Sequence, residues 1–335
     1  MILERFSPAD DAVAVRACHQ IYQAARPVDD PDGPPSSLRV FATWIRLGWT
    51  EDPSEAWLAR DDAGEIRGWY VLTLPERENR HLAMLNPTVH PRARRAGWGT
   101  ALVRHAAGRA AGQGRAELHG DTRAGSPGSA FARALGAQQG MSEITRVLRL
   151  DTLPAARLAG LRTSAQAAAP GYGLVCWDGP VPGEHLDAVA AINAGVADIP
   201  REPGIEAQRW DTERVRMDDR RAAAQGLRYY TVAARHLATG ELAGLTQMGV
   251  DPAEPAWGFQ ELTVVARPHR GHRLGMLMKA VMLERLGKRE PQLTQVLTGS
   301  VDANKHMSAI NAELGFTVLD RYPSWQLTVT TALAL

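Results

Sequence analysis

Cysteine is nearly missing from this chain: 335 residues hold two, Cys18 and Cys176, one in each half. That count argues against a disulfide scaffold and against a cysteine zinc site, and a reducing cytoplasm is the compartment it fits. A charge excess of one sign is missing too. Lys and Arg number 38 against 37 Asp and Glu, a formal net charge of +1. Neither nucleic acid nor a membrane surface is therefore expected as a partner, and any anion site must be local. No apolar run is long enough to suggest a membrane span. The start, "MILERFSPADD", lacks a long apolar core behind a basic region, so no secretory signal is expected. Two phosphate signatures are absent as well. Without G-x-x-x-x-G-K-[ST] nucleoside triphosphate hydrolysis has no support, and without G-x-G-x-x-G after an early strand neither has a dinucleotide fold.

What is present reads as an ordinary globular protein, 44% apolar and 22% charged, with length enough for two domains of about 150 residues. The first half closes on a β-prone run, "ITRVLRL" at 144–150. An alanine-rich helical stretch ending at Pro170 and Gly171 follows, and "GLVCWDG" at 173–179 opens a new unit. The expected division is 1–150, a linker helix over 151–170, and 171–335. Each half repeats one order of elements: a helical region, a hairpin, a further strand, a helix, a strand, a shorter helix and a last β run. The hairpin turns, "DDAGE" and "LATGE", both carry the Gly that a reversal needs. The period is about half the chain, which means duplicated domains rather than a solenoid.

One phrase anchors the repeat: "TVHPRARRAGWG" at 88–99 and "TVVARPHRGHRLG" at 263–275. In the second copy "ELTVV" is strand-like, Pro268 stops it, and a helix begins with Leu274, Leu277, Met278, Val281 and Met282 on one face. A strand–turn–helix junction presents unpaired N–H groups and the positive end of a helix dipole, and glycine lets a ligand come close. With flanking arginines these are the requirements of a phosphate or pyrophosphate cradle.

The first copy, Arg94-x-x-Gly97-x-Gly99 after Val89-His90-Pro91, resembles motif A of the GCN5-related N-acetyltransferase (GNAT) superfamily, R/Q-x-x-G-x-G/A. The second reads Arg270-Gly271-His272-Arg273-Leu274-Gly275, with Arg273 where the first glycine usually stands. "DANKHMSAINAELGF" at 302–316 looks like the segment that follows in the family, an Asn and then a short helix ending in Gly-Phe. As two tandem copies, the chain is similar to mycothiol synthase-type and related actinobacterial acetyltransferases. The resemblance implies an α/β (α+β) architecture, two GNAT folds, each a mixed, mostly antiparallel sheet flanked by helices. It implies acetyl-CoA as co-substrate, no metal, and an amine of a small molecule or peptide as acceptor, in a monomer or homodimer.

The same resemblance distributes roles. Arg270, Gly271, His272, Arg273, Leu274 and Gly275, with Asn304, would hold the cofactor in the second copy. Val89, Arg94, Arg95, Ala96, Gly97, Trp98 and Gly99 would hold it in the first. Val264 and Val265 lie on the strand whose N–H meets the thioester oxygen. Glu261, the one carboxylate on "GFQELTVV", is the candidate base, and strict alternation would put it on one face with Thr263 and Val265. The alternative is a surface carboxylate at a strand end. The usual acid, a tyrosine four residues before the Gly of Gly-Phe, is replaced by Asn311, which leaves solvent or Tyr322 to protonate the thiolate. The first copy has Ala132 at that place, Gly136-Ala137 for Gly-Phe, and no carboxylate on "RHLAMLNPTV". Catalysis is therefore expected in the second copy, and a non-catalytic acyl-CoA-binding protein is the competing reading.

Other features read more plainly. His269 and His272 are taken as part of a solvated basic loop, and "RMDDRR" at 216–221 as a solvated helix face. "RPVDDPDGPPSS" at 26–37 is too proline-rich for a regular element and reads as a connector. Trp44, Trp49, Trp57 and Trp69 are expected in the first core, and Trp210, Trp257 and Trp325 in a core or a cleft.

Overall fold

The computed structural model describes residues 1–48 and 50–335, so the core role expected of Trp49 lies outside the described residues. The chain forms two compact units. Unit 1 comprises 1–143, 202–206 and 320–335, and unit 2 comprises 144–201 and 207–319.

The first copy of the repeat begins with β1 (Ile2–Phe6), α1 (Ala12–Asp29), α2 (Leu38–Leu47), β2 (Ser54–Arg60), β3 (Ile66–Thr73) and β4 (Leu82–Val89). It continues through α3 (Trp98–Gly112), β5 (Glu117–Asp121), α4 (Pro127–Ala134) and β6 (Gln138–Arg149). Helix α5 (Ala155–Ala167) then leads to β7 (Tyr172–Asp178), α6 (Leu186–Asn193), α7 (Thr212–Gln225), β8 (Arg228–His236), β9 (Leu242–Val250) and β10 (Trp257–Val265). The second copy closes with α8 (Leu274–Arg289), β11 (Gln295–Val301), α9 (Lys305–Leu314), β12 (Thr317–Thr328) and α10 (Val329–Leu333). The repeated order of elements is thus present. The hairpin glycines, Gly64 and Gly240, take φ of +84° and +76°, which a Cβ would resist.

The sheet of unit 1 runs β1-β2-β3-β4-β5-β12 and that of unit 2 runs β6-β11-β10-β9-β8-β7. β4 pairs β5 and β10 pairs β11 in parallel, while β1–β2, β2–β3, β3–β4, β5–β12, β7–β8, β8–β9 and β9–β10 are antiparallel. Residues 320–328 of β12 belong to unit 1, and 144–149 of β6 belong to unit 2. Each copy therefore gives its last strand to the other unit's sheet.

Helices cover both faces of each sheet, because alternate strand residues are apolar on both sides. In unit 1, Phe41, Ile45, Leu58 and Trp69 pack under α1 and α2, and Tyr70, Leu72, Leu102 and Val103 pack under α3. In unit 2, α6 and α7 cover Ala233, Leu245 and Val264, while α8 covers Val232, Met248 and Val296. The segment expected as a linker is built into this second core: Leu158, Leu161 and Ala165 of α5 pack with it. One expectation is corrected, and of the two places open to Trp325 the core is the one found. Helix α1 runs through Pro27 to Asp29, so Arg26–Asp29 are helical rather than connector. Trp325 is buried in unit 1, where its indole N–H donates to Thr122 Oγ1 at 2.7 Å. No helix among the described residues is long and apolar enough to cross a membrane.

Candidate active site

Strand β10 does not keep a uniform phase. Its register with β9 shifts between Gln260 and Thr263, a bulge that holds Glu261 and Leu262. Its parallel pairing with β11 covers Trp257–Gln260 against Gln295–Thr298, and beyond Gln260 β10 keeps β9 as its partner. A gap therefore opens between β10 and β11. The strict alternation expected for 261, 263 and 265 fails here, because the extra residue resets the phase. Gln260 Nε2 and Thr263 Oγ1 both reach Thr246 Oγ1, at 3.0 and 2.7 Å, so they share the face under α8. Glu261 faces the other way, toward α7.

The ladder decides between the two valines. Ala266 N–H donates to Ala243 O at 2.9 Å. Alternation along an antiparallel pair then gives Val264 N–H to β9 and turns Val265 N–H toward the gap. Val264 is buried beneath α6, whereas Val265 lines a cleft of about 230 Å³. The remaining walls of that cleft are His269–Gly271 and Arg273 of the loop, the first turn of α8, and α9.

Backbone conformation, more than glycine, shapes this loop. Gly271 and Arg273 both have left-handed φ, +88° and +54°. In unit 1 the matching residues are Arg95 at +65° and Gly97 at +83°. Each copy places one glycine and one arginine in the same two conformations, in opposite order. Arg273, the departure from the motif, thus keeps the loop's path. Left-handed residues alternating with right-handed ones turn successive N–H groups to one side, a nest that suits an anion. Gly275 leaves room for α9: a Cβ there would lie 3.2 Å from Ile310 Cδ1. At Gly99 it would lie 2.9 Å from Phe131 Cζ.

The first arginine of each motif folds back onto the end of the strand before it. Arg270 Nε donates to Val265 O at 3.0 Å and its Nη2 to Asp198 at 2.6 Å. Arg94 Nε donates to Val89 O at 3.1 Å, and both its Nη atoms reach Asp29, at 2.7 and 2.6 Å. The two guanidinium groups tie the end of the strand to a carboxylate, and the nest N–H groups are left to meet a ligand. The hydrogen bonds from Arg267 and Arg270 hold the Asp198 carboxyl well below the ordinary range. The solvated reading of His269 is overturned. It is buried, with Nε2 2.7 Å from Glu241 Oε1 and Nδ1 3.0 Å from the Tyr172 hydroxyl, while His272 is exposed.

The catalytic candidates are placed differently from one another. Glu261 is open to solvent, yet protein crowds it enough that desolvation pushes its carboxyl up, with Arg221 opposing and Asp218 reinforcing the shift. Residues 216–221 are therefore not a purely solvated face: Asp218 and Arg221, 3.2 Å apart, act on Glu261. Asn311 is fully buried, and its Oδ1 accepts from Lys279 Nζ at 2.9 Å, so the carboxamide is held inside unit 2 and does not line the cleft. Tyr322 belongs to unit 1, where burial and then Asp30 push its phenol far up. That environment opposes ionisation of the phenol. Asn304 caps α9, its side-chain oxygen accepting from Met307 N–H at 3.2 Å. In unit 1, β4 keeps an unbroken register with β3 from Met84 to Val89 and carries no carboxylate. Among the described residues no cluster of three or more His, Cys, Asp or Glu could hold a metal.

Comparison with known proteins gives a consistent picture. Residues 15–136 match the acetyltransferase (GNAT) family. No curated protein matches the chain. Among solved structures, a tandem GNAT protein from the clavulanic acid biosynthesis pathway is 27% identical with a TM-score of 0.79, over 98% of both chains. A GCN5-related N-acetyltransferase from Sphaerobacter thermophilus is 17% identical with a TM-score of 0.68, over 98% of this chain and 95% of that one. The second likeness is one of fold.

Proposed function

We propose that the chain is a tandem GNAT acyltransferase and that its unit 2 moves an acetyl group from acetyl-CoA to a primary amine of a small molecule or peptide. One observation carries the reading: the gap beyond Gln260 joins the α8 face, which holds the cleft and the nest, to the α7 face, which holds Glu261. Acyl donor and acceptor can then approach from opposite faces and meet at the strand edge.

The residues fit the co-substrate. The nest at Gly271–Arg273 and the N-terminus of α8 suit its pyrophosphate, and Gly275 keeps α9 close enough to wall the arm. Bound there, acetyl-CoA would supply an activated thioester carbonyl. Val265 N–H, aimed into the gap, would stabilise the negative charge that develops on the thioester oxygen. The acceptor arrives as an ammonium of pKa about 10 and must lose a proton. A carboxylate with a raised pKa takes it better than an ordinary one, directly or through one water. The departing thiolate has a pKa of about 8.5, close enough to neutrality for solvent in the open cleft to protonate it.

Glu261→Gln tests the assignment. The expected result is a fall in kcat of about 10²- to 10⁴-fold with acetyl-CoA affinity retained. An unchanged rate removes Glu261 as the base. Titration of acetyl-CoA into wild type, Gly97→Glu and Gly275→Glu then separates the copies. Loss of binding and activity with Gly275→Glu, and survival of activity in Gly97→Glu, is the expected pattern.

A further inference from the structure

The cleft of unit 2 contains a pairing that works against its use. Its loop wall offers N–H groups, the N-terminus of α8 and cationic side chains, all of which favour an anion. Among the residues lining it, one is acidic: Glu313, on the opposite wall formed by α9. Its carboxylate is not aimed at solvent alone. Arg273 Nη2 donates to Glu313 Oε1 at 2.5 Å, so an ion pair joins the loop to α9 at the cleft. Arg273 holds a left-handed φ of +54° at the place where unit 1 has Gly97.

Both side chains remain about two-fifths exposed, at 39% and 43%. A pair that open is weak and exchanges readily. A phosphate offers a guanidinium more charge and more acceptor oxygens than a carboxylate does. We propose that Glu313 is an internal competitor for the cofactor phosphates: it occupies Arg273 in the free protein, and the pyrophosphate of an acyl-CoA displaces it. Arg273 then changes partner from α9 to the ligand. The proposal rests on the reading that this cleft takes acyl-CoA, and it deepens that reading by naming what sets the affinity.

The test is a calorimetric titration of CoA at the site that Gly275→Glu abolishes. It uses wild type, Glu313→Gln, Arg273→Gly and the double variant, with melting curves to confirm folding. Both side chains are partly exposed, and Arg273→Gly removes a left-handed arginine, so folded proteins are expected. Glu313→Gln should bind CoA about 3- to 5-fold tighter, the upper size of an exposed ion pair released. In the Arg273→Gly background the gain should shrink below about 2-fold, because only general repulsion is left to remove. A phosphate-free thioester, S-acetyl-N-acetylcysteamine, should show no gain. Unchanged or weaker CoA binding by Glu313→Gln overturns the proposal, and so does an equal gain in both backgrounds. If neither wild type nor any variant binds CoA in unit 2, the acetyl-CoA reading falls and this inference with it. Binding by wild type without a gain in Glu313→Gln removes the inference alone.

Discussion

Two ionisable side chains in unit 2 depart from their ordinary behaviour in ways that experiments can separate. Glu261 is raised by desolvation, with opposed contributions from Arg221 and Asp218. If it is the base, the acidic limb of kcat/KM lies above the ordinary glutamate value. Removing the negative charge in Asp218→Asn should move that limb to lower pH, and Arg221→Gln should move it higher. A limb indifferent to both variants would belong to another group. Lys279 is 2% exposed, with its Nζ bonded to Asn311 and 5.5 Å from the Phe316 ring. Burial pushes its ammonium down from 10.5 to about 7. The unfolded chain holds that proton up to 10.5, while the folded one releases it near 7, so stability rises with pH between those values. Below about 7 the full cost of burial is present, on the order of a few kcal/mol at about 1.4 per unit. Lys279→Met alone would strand Asn311, whose Nδ2 already lacks a partner. The double change Lys279→Met with Asn311→Leu should melt higher than wild type at about pH 6, with an advantage that shrinks toward about pH 10. An advantage that does not vary with pH would contradict the shifted lysine.

The two motif loops show how an element can keep its geometry while its residues trade places. Arg95 and Arg273 occupy left-handed conformations that an L-residue takes at a cost of about 1–2 kcal/mol, part of which glycine would return as chain entropy. Arg95→Gly is expected to stabilise unit 1 by about 0.5–1 kcal/mol, read from a urea midpoint at constant slope. Arg273→Gly should give less, because the Glu313 pair is lost with it. The repeated phrase, the element order and the hairpins were legible in the sequence because each is set by near neighbours: apolar periodicity, a Pro that ends a strand, a Gly that turns. The clamps were not. Asp29 lies 65 residues from Arg94, and Asp198 lies 72 from Arg270, so nothing local marks them as partners. The bulge at 261–262 escaped because alternation assumes an unbroken strand, and its effect was to move Glu261 off the face assigned to it. Lys279 left a faint trace, a lysine four residues before Leu283 on a face that is otherwise buried.

At the level of the whole molecule, the exchanged strands set what can fold alone. Strand β12 pairs β5 from Ser324↔Asp121 to Thr328↔Glu117, and residues 320–335 contribute Trp325, Leu327, Val329 and Ala332 to the interior of unit 1. The same segment brings Ser324 and Gln326 to Glu202 and Asp320 to Arg123. Sequence alone could not assign β12 to this sheet, since β6 and β12 carry the same kind of β pattern and pairing is decided by packing. Each large apolar side chain buried there is worth about 1.5–3 kcal/mol. Three such positions, Trp325, Leu327 and Val329, amount to much of the 5–15 kcal/mol of net stability typical of a domain. A fragment of residues 1–150 should therefore fail to melt cooperatively, although it contains one full copy of the repeat. Joining residues 320–335 to it through a flexible linker should restore a cooperative transition, and joining a scrambled version of that segment should not. Cooperative melting of the bare fragment would mean that β6 can take the place of β12 beside β5. The indole of Trp325 meets Thr122 across 203 residues of chain, so completion of unit 1 waits for residues 320–335 and should be slow compared with the hairpins.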